Sequence, residues 1–296
     1  MTDFRNLAEL EKIFYTTYDI FAQVDTILSL TKHGKKSELI KMVMIFYLKI
    51  LSSKKSSNEQ KITAFESIRE KLEEYIIQCE KKYKRNFSSD LPKAQINNKK
   101  FIECGVSVKN FSDALINFIR FRQSLSEEKI KTIAKINLKN RVKYYFDFND
   151  DNFISEIVDK FYNKNGSFNI PKQALIEFHN FMSHICAAYK SQNIEVQNKN
   201  IERAKNHLYR GTLDIYKIII KDYIISSNEI INERHIRVLF NLRLKEYRSL
   251  GKNNFQINIL KYFKKIGEEI VNLKRSKLNN EKTHNLTTAS NSFLFS

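Results

Sequence analysis

The sequence predicts an all-α protein, a multi-helix bundle with room for one short strand or hairpin in the middle. Three observations carry this expectation. Only 6 Gly and 2 Pro occur in 296 residues, whereas sandwiches, barrels and glycine-looped nucleotide folds need many special backbone positions. Apolar residues recur three and four apart along most of the chain, which places them on one face of a helix. At 42% hydrophobic and 28% charged, the composition supports a core and is not that of a disordered chain.

The first helix is expected from about Asp3 to Leu30, with Leu7, Leu10, Phe14, Phe21, Val24 and Leu28 on its apolar stripe. His33-Gly34 ends it. Ser37 is placed to cap a second helix running to Leu51. Ser57 and Gln60 have capping-box spacing and open a third helix, which continues to about Arg85. These three helices form an expected N-terminal bundle over residues 1–86.

Residues 87–109 interrupt the rhythm and are expected to be a linker or loop, in which Phe101 to Val108 is one candidate strand. A larger C-terminal helical domain is expected over 110–276. It begins with Phe111, Leu115, Phe118, Ile119 and Arg122 at helical spacing and resumes after Ser126. Val142, Tyr144, Phe146 and Phe148 alternate like a strand, and Asp151 to Tyr162 returns to helical spacing. Pro171 suits the first position of a helix to Lys190. The next helix starts between Glu195 and Asn200 and extends past Tyr223; another ends at Gly251, and a last one holds Leu260 to Leu273. Residues 277–296 read as a disordered tail.

Charge narrows the function. Lys and Arg number 51 against 33 Asp and Glu, a net charge of +18, which favours and accelerates encounter with polyanions. Nucleic acid is the first expected partner, RNA before DNA, and an anionic membrane surface is a weaker alternative. Cys79, Cys104 and Cys186 are odd in number and lack CxxC spacing, so neither a disulfide framework nor a cysteine zinc site is expected. The expected compartment is the cytoplasm: Met1 to Arg5 opens an amphipathic pattern rather than a signal peptide, and no apolar run is long enough for a transmembrane segment. No phosphate-binding glycine loop, nucleophile elbow or dinucleotide fingerprint occurs, so no cofactor is expected.

The strongest local feature is one helix face bearing Arg203, His207, Arg210, Asp214, Lys217 and Lys221, spaced by four, three, four, three and four residues. Such a stripe suits either a solvated face, with Asp214 paired to Arg210 or Lys217, or phosphate contact, with His207 placed for proton transfer. Arg234, Arg237 and Arg243, with Lys245 and Arg248, form a second basic face. The apolar run Val238-Leu239-Phe240 in that helix reads as packing. Metal-free RNA cleavage requires a base, an acid and a cation for the phosphoryl oxygens. His207 and Arg203 are the candidate catalytic residues. A second imidazole is needed, from another copy of the chain or from His179 or His184. Glu177, His184 and His207 are also the one conceivable Glu/His/His metal set, although no metal site is expected.

An arginine and a histidine about a turn apart on a basic helix resemble the motif of the HEPN superfamily, helical proteins of RNA-cutting toxins and defence systems. The resemblance covers about residues 170–250. It implies a homodimer whose paired Arg–His motifs form a composite ribonuclease site acting in prokaryotic defence. That motif has four to six residues between Arg and His and a polar residue after Arg; here three intervene, and Ala204 follows Arg203. The rival expectation is a helical interaction or scaffold module that forms a homo-oligomer or docks an acidic partner.

Overall fold

Helix follows helix along the residues that the computed structural model describes, which are 7–28, 37–48, 57–86, 104–126, 128–133, 170–227, 233–248 and 259–274. We name the helices α1 (Leu7–Leu28), α2 (Ser37–Phe46), α3 (Asn58–Tyr83), α4 (Gly105–Gln123), α5 (Lys172–Lys190), α6 (Ile194–Ser226) and α7 (Glu233–Arg248), with α8 at 259–274. Residues 128–133 are also helical, and no strand occurs among the described residues. The protein is all-α, as its glycine and proline poverty predicts.

Local signals set several boundaries. The Ser57 hydroxyl accepts from the Gln60 N–H at 3.2 Å, and the Gln60 side chain accepts from the Ser57 N–H at 3.0 Å. This reciprocal box satisfies two of the donors a helix start leaves open. The other end of α3 closes at Lys84, whose φ of 51° is left-handed. Pro171 stands directly before α5 and contributes the carbonyl that accepts from Leu175.

The expected strand from Phe101 to Val108 is corrected. α4 already begins at Gly105, and the Val108 N–H donates to the Cys104 carbonyl at 3.0 Å. The β-branched Val106 and Val108 suggest a strand locally. The buried spacing of Phe111, Ala114, Leu115, Phe118 and Phe121 overrides them by extending one amphipathic helix backward. The expected strand at Val142–Phe148, the helix at Asp151–Tyr162 and the tail at 277–296 lie outside the described residues.

The chain divides into two compact units, Met1–Ser112 with Ile170–Gly211, and Asp113–Asn169 with Thr212–Ser296. In the first unit α1 packs on α3 and α5, and α2 packs on the same two helices. Its core is aromatic. Phe14 meets Phe46 and Phe65 at ring-centroid distances of 5.3 and 5.6 Å, and Tyr47 meets Phe181 and Phe178 at 5.4 and 5.9 Å. The edge-on and tilted geometries match the ring quadrupoles, adding to the burial of large apolar areas. Two buried tyrosines of this core have polar partners. Burial holds the Tyr18 hydroxyl protonated, and it shares a hydrogen bond with His179 Nδ1 at 2.8 Å; Tyr75 donates to Asp25 at 3.4 Å.

The second unit buries Phe118 and Phe121 of α4, Ile215, Tyr216 and Ile219 of α6, and Phe263 and Ile270 of α8. A β-carbon at Gly267 would overlap the Tyr216 ring, so glycine is what lets α8 lie against α6. Arg122 crosses this core to Asp222, Nη2 to Oδ2 at 2.6 Å, with both residues buried.

Candidate functional site

Helix α5 and the part of α6 that belongs to the first unit, up to Gly211, build the candidate site. Ala204 and Leu208 of α6 are fully buried, which fixes the rotation of the helix and turns Arg203 and Arg210 outward, with His207 half-buried at the edge. At Gly211 the helix α6 comes close to both α4 and α5. A β-carbon there would lie 2.6 Å from the Phe111 ring and 3.2 Å from Glu177 Cβ. His207 stands one turn before Gly211 on the same face, and its Nδ1 reaches Glu177 Oε2 at 2.7 Å.

A carboxylate only accepts, so His207 Nδ1 carries the proton given to Glu177 and Nε2 is the atom left to exchange protons. The Arg210 guanidinium lies against the imidazole, Nη2 being 2.8 Å from Nδ1 and 3.3 Å from Nε2, with its Nε 3.6 Å from Glu177 Oε2. With Nδ1 committed to Glu177, Nε2 is the ring nitrogen that the Arg210 guanidinium can reach, at 3.3 Å. The His207 and Glu177 side chains are only 13% and 9% exposed, while Arg210 is open to solvent.

His184 stacks on His207, with ring centroids 5.1 Å apart and planes 21° from parallel. Its Nδ1 is 2.9 Å from Asn200 Oδ1, and the Asn200 amide donates to the Val196 carbonyl at 2.9 Å. The Asn200 oxygen therefore accepts, and His184 presents a lone pair at Nε2. Burial, foremost, then the nearby His207, Arg203 and Arg210, hold the His184 pKa below 6.5, while the Asn200 bond opposes them. A neutral imidazole with its lone pair at Nε2 is a proton acceptor near neutral pH.

No family model matches the chain, nor does any curated protein or solved structure. The HEPN resemblance rests on Arg203 and His207 in their helix.

Of the sequence-predicted residues, Arg203, His207 and Arg210 share one edge of the first unit, and Arg203 is within electrostatic reach of His184. His184 is the imidazole that stands beside His207. His179 does not, being buried against Tyr18. Glu177, His184 and His207 do come together, but as a hydrogen bond and a ring stack. Among the described residues no group of three His, Cys, Asp or Glu side chains is disposed to hold a metal ion. The remaining cations belong to the second unit. Lys217 is bound to the Glu246 carboxylate and lies 3.6 Å from Asp214, Arg243 donates to Glu246 at 2.6 Å, and Lys221 and Arg237 are exposed. The Arg234 side chain lies outside the described residues. No described helix is long and apolar enough to cross a membrane.

Asn200 and Gly211 went unnoticed in the sequence, though each left a trace. Asn200 precedes His207 by seven residues and so shares its stripe, and an isolated glycine in a helical pattern commonly marks close packing. Gly211→Ala is expected to lower stability by about 1–3 kcal/mol despite alanine's better helix propensity. Phe111 is fully buried and stacked on Phe178, so it has no room to yield. Urea unfolding checks this; an unchanged or raised midpoint would refute the close approach.

His184 offers a second test, by NMR titration of its ring protons. It should titrate below 6.5, move upward in Arg203→Ala as a repelling cation is lost, and move downward in Asn200→Ala. Because the folded value is depressed, the associated stability is full above 6.5 and is lost as pH falls through the window down to the folded value. A titration above 6.5 would overturn this arrangement.

Proposed function

We propose that the protein binds RNA and cleaves its backbone without a metal ion, at the edge formed by Glu177, His184, Arg203, His207 and Arg210. The observation that carries this reading is the stacked histidine pair, each ring fixed at Nδ1 by a different acceptor and left with Nε2 for proton transfer. His184 Nε2 takes the proton of a ribose 2′-hydroxyl, whose oxygen attacks the adjacent phosphorus. The bond from phosphorus to the 5′-oxygen breaks, and His207 Nε2 returns a proton to that leaving oxygen. Arg210 and Arg203 stabilise charge gathering on the phosphoryl oxygens. The products are a cyclic phosphate and a 5′-hydroxyl, and the atoms balance without a co-reactant. The net charge of +18 supports a polyanionic substrate.

A cleavage assay on single-stranded RNA, run with excess chelator at low and high salt, tests the proposal. Cleavage should persist in chelator and yield cyclic-phosphate ends. Affinity should fall by orders of magnitude as salt rises, because several phosphate contacts release counterions. Cleavage that requires added metal, or salt-insensitive binding, would refute it. Tight self-association that survives high salt without RNA would instead favour the scaffold reading.

A further inference from the structure

In the second unit, α7 reverses the expectation that Val238-Leu239-Phe240 is packing. Leu242 is buried and anchors the helix, whereas Val238 is 50%, Phe240 66% and Tyr247 73% exposed. Phe240 and Tyr247 are seven residues apart, only 20° short of two full turns, so both rings rise from one stripe. Arg243 stands between them at i+3 and i−4, while Arg237 and Arg248 follow a neighbouring stripe. Two exposed rings in line, with cations beside them, are unusual on a helix, and among the described residues neither ring is buried by a neighbour. The charge is one-sided too. α7 carries five Lys and Arg against Glu233 and Glu246, and Glu246 is already bound by Lys217 and Arg243.

We propose that this face is a stacking platform for single-stranded nucleic acid. Bases lie on Phe240 and Tyr247, and the phosphates run past Arg237, Arg243 and Arg248. The chemistry selects unpaired bases, because a ring stacks only on a base face that a duplex keeps covered. An acidic protein would satisfy the cations but leave both rings in water. The proposal shares the nucleic-acid part of the reading above but not its cleavage chemistry, so the two fail separately.

The test uses the full chain and a fluorescein-labelled 2′-O-methyl oligouridylate, which lacks the hydroxyl that cleavage needs. Phe240→Ala and Tyr247→Ala should each weaken binding about tenfold, and together about a hundredfold. The salt slope should stay unchanged because the phosphate contacts remain. Tyr247→Phe should retain wild-type affinity, and Arg243→Gln should weaken binding and flatten the salt slope. A duplex of equal length should bind less tightly and ignore the ring substitutions. Both rings are exposed, so these variants are expected to fold as the wild type does. The proposal is overturned if the double variant binds undiminished, if polyglutamate displaces the oligonucleotide from wild type as effectively as unlabelled oligonucleotide does, or if the rings prove necessary for self-association in sedimentation. Ring-dependent binding without cleavage would retire only the chemistry at His184 and His207. Cleavage with ring-independent binding would retire only the platform.

Discussion

His207→Ala is expected to lower the RNA cleavage rate by about two to four orders of magnitude, the usual contribution of a positioned proton-transfer group, with little change in affinity. His184→Ala should do the same, and the double variant should be little worse than either alone, because acid and base act as a unit. Glu177→Gln has a more informative effect. The glutamine oxygen still accepts from His207 Nδ1, but the charge beside the ring is gone and Arg210 loses its carboxylate neighbour. The rate should fall while the fold and the RNA affinity survive. The acid side of the pH–rate profile reports the base: it should lie below 6.5 for wild type and shift upward in Arg203→Ala, where a repelling cation is removed from His184. Equal rates in wild type and His207→Ala would end the catalytic assignment and leave a binding protein.

What was legible in the sequence follows the range of the interactions concerned. The Ser57–Gln60 box and the start of α5 depend on residues a turn apart; the box stands where the spacing puts it, and α5 begins one residue after Pro171, which serves as its N-cap. Of the α6 stripe Ile201, Ala204, Leu208, Thr212, Ile215, Ile219 and Tyr223, the five middle residues are buried and the two end residues half-buried, because helical periodicity is itself a statement about burial. Long-range pairings left little trace. Nothing local says that His184 would meet His207 while His179, five residues earlier, would turn inward to Tyr18. That choice is made by the rotation of α5, which Phe178, Phe181 and Ile185 set from the core. Val238 and Phe240 show the opposite failure: apolar identity suggests packing, but only the fold decides which apolar residues find a partner.

Arg122 is a further example, and its replacement carries the largest expected cost in stability. In the sequence it stands at helical spacing with Phe111, Leu115, Phe118 and Ile119, with nothing to name its partner, and it is buried with Asp222, whose side chain is 1% exposed. Arginine does not give up its proton in a protein, so Asp222→Asn leaves the cation inside without its carboxylate. The expected loss is about 3–5 kcal/mol, because the desolvation of the guanidinium is no longer offset. Arg122→Ala strands the carboxylate instead and should cost a similar amount, moderated where Asp222 takes up a proton. The pair's net worth is a separate quantity. Replacing both, as Arg122→Met with Asp222→Leu, removes two charges that were costly to bury and should recover most of the loss, or exceed the parent. Urea unfolding of the four proteins closes a double-mutant cycle with a coupling energy of several kcal/mol. Single substitutions that leave the urea midpoint unchanged would mean that water reaches the pair and that the second unit does not depend on it.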